Sequence, residues 1–529
     1  MRRHAATMGA ALWALGCLAA LVLYWCAWGQ NQLDADMASE QVLANLLAAQ
    51  PGAALLTDQW YYSTELRVLN TQLIMAPLFR VFASWHTVRV VGSVILIVLY
   101  LAAWFFFARQ AGLRFGGLLG AGLLLLPWGE LYGQYVLEGL YYIPHIALNF
   151  LGLGCALWAL HKKGARRWAA GVLLCAASFA AGLGGPRQIA ILQLPLTLAA
   201  LLLAWLDRTP GVHWPKTVGN CLRGPYGVLL RLALLADAAG VAGYACNARV
   251  LAQDYAFQDQ SYVTFGNVTF ERLEQFVNAL LAAFGWQKAA VFSCASLFNG
   301  VVLAVLAASF AFAVRLVRGR LSHPLGHRLL GAFYLALALC FLALYALTNS
   351  GHSERYLLPL AVLFIPLLEI YLADAAPKQS PMAATLAVGL AAVLALRGAG
   401  GYAQAAATGN AHAAAAEFLA HSGYTEGYAS FWDANILTEL SDGALEVWTL
   451  AQNDAFEVRK WLQKTEHLSR EPKGKVFFVI SNWEESGERQ PAARGLQEAM
   501  PEEALIYEDG TCRIYGFASA AAMHDVCGL

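Results

Sequence analysis

From residue 8 to about residue 400 the chain runs in apolar stretches of roughly 20 residues separated by short polar breaks. Stretches that long and that poor in charge are the length of a bilayer's hydrocarbon core. In hydrocarbon every backbone N–H and C=O must be satisfied internally, so such stretches fold as helices. The predicted spans are 8–28, 87–108, 115–131, 140–160, 168–185, 188–206, 228–246, 288–314, 329–348, 356–374 and 382–400. The third and fifth are the shortest or most Gly-rich. Only 13% of the residues are charged, about half the share of a soluble domain. That deficit ends near residue 400. The expected architecture is an all-α polytopic bundle of about eleven transmembrane helices, followed by a small extracytoplasmic α/β domain. Domain boundaries fall at 1–403 and 404–529, and the bundle carries the outer loops 29–86 and 247–287. The first apolar stretch is too long for a signal-peptide core and has no A-x-A site after it, so it reads as a retained helix.

Lys and Arg set the orientation. With the N-terminus inside, the inner segments hold 16 Lys and Arg, including Lys162, Lys163, Arg166, Arg167, Arg315 and Arg318. The outer loops hold six: Arg67, Arg80, Arg187, Arg249, Arg272 and Arg355. The N-terminus is therefore expected inside and the C-terminus outside, in the plasma membrane. No inner segment is long enough for a nucleotide-binding domain, and no G-x-x-x-x-G-K occurs, which argues against an ATP-driven pump. A formal net charge of zero gives no reason to expect a nucleic-acid partner. The ten Cys show no metal spacing. Cys512 and Cys527 lie in the tail, and sequence leaves open whether they pair.

The substantial polar material is thus on the outer side. Asp34, Asp36 and Glu40 follow the first span directly, ahead of Val42, Leu43, Leu46 and Leu47 at helical spacing. That pattern predicts an amphipathic helix lying on the membrane surface with three carboxylates at its N-terminus. Such acids can cap the helix and favour its dipole, or Asp34 and Asp36 can ligate a divalent cation such as Mg or Mn. Further on, Trp60-Tyr61-Tyr62 reads as an interfacial belt or as a stacking surface for a sugar ring. Ser63 or Thr64 is then placed to cap a helix through Leu66, Leu69, Leu73 and Ile74, with Glu65 and Arg67 near its start.

In the fourth span Glu138, Tyr141, Tyr142, His145 and Asn149 fall on one helical stripe. A polar stripe avoids lipid, and here it reads as a cavity wall or as interhelical glue. Two outer turns each carry an Arg: Arg187 in Gly-Gly-Pro-Arg-Gln, and Arg355 among His352, Glu354 and Tyr356. A guanidinium there either snorkels or holds a phosphate with its forked donors. Asp237, in the middle of the seventh span, reads as structural.

The acidic motif after the first span, the helix that follows it, the many spans and the late Arg355-Tyr356-Leu357-Leu358-Pro359 turn resemble the GT-C superfamily of membrane glycosyltransferases. The likeness is to the bacterial branch related to protein mannosyltransferases and lipid A aminoarabinose transferases, and it covers roughly residues 8–400. It implies transfer of a sugar from a polyprenyl-phosphate donor to an extracytoplasmic acceptor, with membrane lipids as partners and the acceptor unspecified. It also implies that Asp36 is the general base, with Asp34 as the alternative, and that Arg355 contacts the lipid phosphate. The substrate-binding set is then Asp34, Glu40, Glu65, Glu138, Tyr142, His145, Arg187, His352, Arg355 and Tyr356. Two features depart from the family pattern. Asp36 is followed by Met37 where Glu is usual, and Ser63-Thr64-Glu65 stands where a Lys-Pro-Pro or His-Pro-Pro turn is usual.

The tail predicts strands at Gly427–Phe431, Leu445–Leu450, Val476–Ile480, Leu505–Glu508 and Cys512–Phe517. Helices are predicted at Ala411–His421 and Phe456–His467. The rival reading is a transporter or flippase with Asp237, the fourth-span stripe and Arg187 along its path. Transporters often carry paired half-repeats, and none is visible.

Overall fold

A computed structural model describes residues 2–527 apart from 53, 65, 208–223, 258–263, 320–322, 350–352 and 379–380. Glu65 and His352 lie outside the described residues. The chain divides into two compact units. The first, a helical bundle, comprises 1–23, 97–248 and 262–403. The second, built on a β-sheet, comprises 24–96, 249–261 and 404–529.

Eight of the described helices are long and apolar enough to cross a membrane. They coincide with eight of the expected spans, and the protein is a multi-pass membrane protein. The other three expected spans are helical as well. At 115–131 the helix is short, Leu118–Leu124, and follows a 3₁₀ turn at Arg114–Gly117. At 168–185 the helix Ala165–Gly182 starts on Arg166 and Arg167, which dilute its apolar run. The last, Pro381–Ala407, has 27 residues, and many side chains in its first half lie outside the described residues.

Within the bundle unit, helices Ala165–Gly182 and Pro225–Arg249 meet at glycines. A Cβ on Gly182 would stand 2.2 Å from the Gly240 carbonyl oxygen, and one on Gly243 would stand 2.1 Å from that of Phe179. Only glycine permits that backbone approach, a common packing device in membranes. Thr197 donates to Asp237 at 2.6 Å, so that intramembrane acid ties helix to helix. Arg328 and Asp207 form a two-pronged pair at 2.7 and 2.8 Å.

The sheet unit has five strands in the order β3-β2-β5-β7-β6. They are β2 (Glu426–Ser430), β3 (Glu446–Leu450), β5 (Val476–Ser481), β6 (Leu505–Glu508) and β7 (Cys512–Phe517). β2 is parallel to β3 and to β5, and β7 is antiparallel to β5 and β6. All six residues of β5 are buried, as expected of a strand covered on both faces. The expected strands are all present. The expected helix Phe456–His467 is instead irregular chain leading into β4 (Gln463–Lys464) and a 3₁₀ turn. Its Gln463 side chain bonds the Thr449 backbone in both directions, which holds the segment extended. A helix at Phe431–Leu440, outside the expected set, caps the C-terminal end of β2.

The same unit gathers the first outer loop. β1 (Trp60–Tyr61) pairs antiparallel with β4. The expected helix after the first span is present as Ala35–Ala49. Its apolar face, including Met37, Ala38, Val42 and Leu47, is buried within the protein rather than laid on a lipid surface. Ser39 on it accepts a hydrogen bond from Asn435 at 2.8 Å. The helix expected from Ser63 or Thr64 starts only at Gln72 and ends at Phe79. Residues ahead of it are fixed instead by side-chain bonds from Asn70 and Thr71 to Glu40.

The strongest tie in this unit is Arg89 to Glu439. The guanidinium grips both carboxylate oxygens at 2.6 Å and donates to the Met37 carbonyl at 3.1 Å. The Glu439 side chain is 0% exposed. Removing one member of a buried pair strands the other charge, a cost of about 3–5 kcal/mol. Glu439→Ala should therefore lower the unfolding midpoint strongly, whereas the double variant Arg89→Met, Glu439→Leu should recover most of the loss. Thermal unfolding of the purified variants checks this.

Candidate functional site

The first cluster lies in the bundle unit. A π-helical turn, Gly133–Glu138, leads into Leu140, whose φ of 63° is a left-handed conformation that non-glycine residues rarely adopt. The helix Ile143–His161 then begins, with Tyr142 as its N-cap residue. The stripe expected from sequence is thus broken: His145 and Asn149 are on this helix, while Glu138 and Tyr141 precede it. The strained turn aims Tyr141 and Tyr142 at their neighbours. Tyr135, Tyr141 and Tyr142 have ring centroids 5.6–6.1 Å apart.

Both expected arginines belong to this cluster. The Arg355 guanidinium lies 5.1 Å from the Tyr135 ring centroid. That of Arg187 lies 5.0 Å from Tyr356 and 5.9 Å from Tyr142. A guanidinium stacked on a ring keeps its N–H edge directed at other acceptors.

A chain of hydrogen bonds orients Arg187. Asn149 donates from Nδ2 to the Ile191 carbonyl at 3.2 Å, so its Oδ1 accepts from Gln188 Nε2 at 2.8 Å. Gln188 therefore presents Oε1 to His145 Nδ1 at 3.3 Å, and that nitrogen carries the proton. His145 Nε2 is left with a lone pair toward Arg187 Nη1, 3.5 Å away. Asn149 is glue between helices, as one of its two sequence readings held, and His145 is the link from that glue to the arginine. Glu138 is half-buried in the turn.

The second cluster lies in the sheet unit. Asp34 is the N-cap of Ala35–Ala49 and accepts from the Met37 N–H at 2.8 Å. Asp36 occupies the first turn, half-buried. Glu40, one turn on, accepts from Asn70 at 2.6 Å and from Thr71, and lies 3.6 Å from Arg67. Burial pushes the Glu40 pKa up, and Arg67, Thr71 and Asn70 hold back part of that rise. Trp60 and Tyr62 are buried beside it. Glu40, Trp60, Tyr62, Arg67, Asn70 and Gln72 line a small pocket, part of it open to solvent.

Sequence reasoning missed Arg459. Burial lowers its pKa, and the Asp36 carboxylate, within electrostatic range, opposes that lowering. Its guanidinium lies 5.2 Å from the Phe431 ring centroid and 5.5 Å from that of Trp461. More than 400 residues separate Asp36 from Arg459 in the chain, and no local pattern links them.

Among the described residues, Glu446, Glu466 and His467 bring three potential metal-ligating groups together. Protein cations already occupy that neighbourhood. Lys464 lies 2.9 Å from Glu446 and 3.8 Å from Glu466, and Arg470 lies 3.7 Å from Glu466. Burial works against ionising Glu446, but hydrogen bonds from His467 and Lys464 hold its pKa down to about 2. The arrangement is an ion-pair network. Where the parallel strands β2 and β5 end, Ser430, Ser481 and His412 converge on the buried Asp433 carboxylate. Cys512 is a buried free thiol, and burial pushes its pKa up to about 12; the Cys527 side chain lies outside the described residues.

The chain shares its fold with ArnT from Cupriavidus metallidurans, solved as a crystal structure bound to undecaprenyl phosphate. The match covers 95% of this chain and 98% of that one at a TM-score of 0.55 and 12% sequence identity. No protein-family model and no curated protein matches the chain. The expected polytopic helical bundle with a small C-terminal α/β region is thus the fold observed.

Glu484 gives a pH prediction for the sheet unit. Burial, and then the neighbouring Asp433 charge, push its pKa up to about 7. A carboxyl raised in the folded state contributes stability below its unfolded pKa and loses it as pH rises through the folded value. Stability should fall from about pH 4.5 to 7, on the order of 1.4 kcal/mol per pH unit from this group. Unfolding midpoints across that range should show the slope, and Glu484→Gln should flatten it.

Proposed function

We propose that this protein is a GT-C-type glycosyltransferase of the plasma membrane. It moves a sugar from a polyprenyl-phosphate donor to an extracytoplasmic acceptor, with its N-terminus cytoplasmic and its C-terminus outside. The observation that carries the reading is the pair of ring-stacked arginines, Arg187 and Arg355, in a bundle whose fold is shared with a protein solved bound to a polyprenyl phosphate. Planar forked donors suit a phosphate monoester or diester. Stacking and the His145 link would fix their direction before the lipid arrives, which saves reorganisation as charge develops on the leaving group.

In this reading the acceptor hydroxyl attacks C1 of the donor sugar. The new C1–O bond forms as the C1–O bond to phosphate breaks, and the polyprenyl phosphate leaves with the bonding electrons. Arg355 and Arg187 neutralise the phosphate. Asp36 takes the acceptor proton as general base. Asp34 is the weaker candidate because its carboxylate already caps the helix. A divalent cation at Asp34 and Asp36 would help neutralise the phosphate, and chelation followed by metal add-back in the transfer assay tests for one.

Asp36→Asn keeps the size of the side chain but cannot take the proton. It should insert, bind donor and transfer sugar at least 10²-fold more slowly, the scale of general-base loss. Asp34→Asn should cost less. Transfer assays with purified variants and a polyprenyl-phosphate sugar measure both, and full activity in Asp36→Asn would remove the assignment.

Arg355→Lys keeps the charge but loses the fork, so donor affinity should fall, and Arg355→Ala should lower it further. Unchanged binding of polyprenyl phosphate to Arg355→Ala would exclude the phosphate role.

A further inference from the structure

The chain ahead of the span Cys294–Arg318 leaves a row of apolar side chains uncovered. The helix Phe270–Ala283 divides into three stripes. On the first, Ala279, Leu280 and Ala283 are buried, and the Phe276 ring beside them meets Tyr345 of the same unit edge-on at 5.6 Å. On the second, Glu271, Glu274 and Asn278 are exposed, at the i, i+3, i+7 spacing that shares one helix face. The third runs between these two. It consists of Phe270, Leu273 and Val277, again at i, i+3 and i+7, and they are apolar yet 38–82% exposed. Phe265, Val291 and Phe292, which flank the helix in sequence, are 77–100% exposed. Single exposed apolar residues are ordinary, but a stripe of them marks a surface that something covers.

Two ties place this segment at the ends of spanning helices. Phe265 forms an antiparallel bridge with Thr348, the Gly266 N–H donates to the Leu347 carbonyl at 2.9 Å, and the Asn349 N–H donates to that of Thr264 at 3.1 Å. That holds the segment's start to the end of the span Leu325–Leu347. Near its other end, the Gln287 N–H donates to Asn299 Oδ1 at 3.0 Å, and Asn299 Nδ2 donates to the Gln287 carbonyl at 2.7 Å. Asn299 lies near the start of the span Cys294–Arg318, on which Leu297 is 77% exposed, as expected of a side chain turned to lipid. The uncovered stripe is therefore continuous along the chain with a lipid-facing surface. At the level where spans end, a helix meets acyl chains on one side and water on another. Its third side here is held by protein. The exposed polar stripe bears two glutamates and no Lys or Arg, so attraction to anionic headgroups does not supply the binding and apolar insertion does.

We infer that the helix Phe270–Ala283 lies in the interface of the bilayer, with Phe270, Leu273 and Val277 among the acyl chains of bulk lipid, whatever the headgroup charge. Part of the loop 247–287 is then embedded in the membrane, although it does not span it. The inference needs only that the spans cross a bilayer, and it is independent of the transferase reading.

The test uses the full-length protein in nanodiscs of phosphatidylcholine without polyprenyl lipid. A fluorescent amino acid, excited outside the tryptophan band, replaces Leu273, Val277 or Asn278, one per sample. All three side chains are exposed, so each labelled protein should keep the wild-type unfolding midpoint. The quenchers are a lipid-borne nitroxide, placed shallow or deep, and aqueous iodide. The labels at Leu273 and Val277 should lose emission to the nitroxide, at a depth of about 5–10 Å into the headgroup and acyl boundary, and should be shielded from iodide. The label at Asn278 should show the reverse. Adding phosphatidylglycerol to the discs should leave these depths unchanged. Iodide quenching at Val277 equal to that at Asn278 would put the stripe in water. Shielding of Val277 from both quenchers would mean that protein covers it, a second copy or another segment of this chain. Nitroxide quenching that appears only with phosphatidylglycerol would mean seating by charge. Any of these three results would overturn the inference.

Discussion

The cost of burying charge is the constraint from which most of this structure follows. A chain this apolar can carry buried ions only where each is matched by an opposite charge or by hydrogen bonds. Arg89 and Glu439 satisfy that rule inside the sheet unit, and Arg328 and Asp207 satisfy it inside the bundle. The first pair has a topological consequence. It joins residues 350 positions apart and makes the loop after the first helix part of the same unit as the tail. The Ala35–Ala49 helix, which carries Asp36, is thereby packed on a sheet-based core instead of resting on lipid.

The arginines at 187 and 355 are handled differently. Ring faces lie against both guanidiniums and the His145 imidazole lies against that of Arg187, contacts that fix direction. The backbone contributes through Leu140, whose left-handed conformation turns the chain sharply between a π-helical segment and the next span. Residues held in such conformations persist only where surrounding packing over-determines them. Here the packing includes three tyrosines, the fully buried Leu140 and the start of a buried helix.

Much of the helical and sheet framework was legible in sequence because hydrophobic burial acts locally along the chain. The apolar runs marked eight helices now seen to be long enough to span, and alternating or continuous apolar segments marked the strands from Val476 and Cys512. Arg187 and Arg355 were legible as candidates because an arginine between apolar spans stands out. What could not be read was whatever depended on side chains distant in sequence. Phe456–His467 looks helical by composition, but Gln463 is captured by the backbone of Thr449. The stripe from Glu138 to Asn149 has helical spacing, yet Leu140 interrupts it. Arg459 and Gln72 enter their sites only through tertiary contacts, and nothing near them in the sequence announces a role.

Phosphate recognition by Arg355 and Arg187 is the step on which the proposed transfer depends. The most direct measurement is a structure of the full-length protein in a lipid nanodisc with undecaprenyl phosphate bound. Phosphate density is expected within hydrogen-bond distance of the Arg355 guanidinium, with Arg187 as the second donor and both side chains still stacked on their tyrosines. Phosphate density away from both arginines, or lipid headgroup density at the opposite end of the bundle beside Arg315 and Arg318, would contradict it.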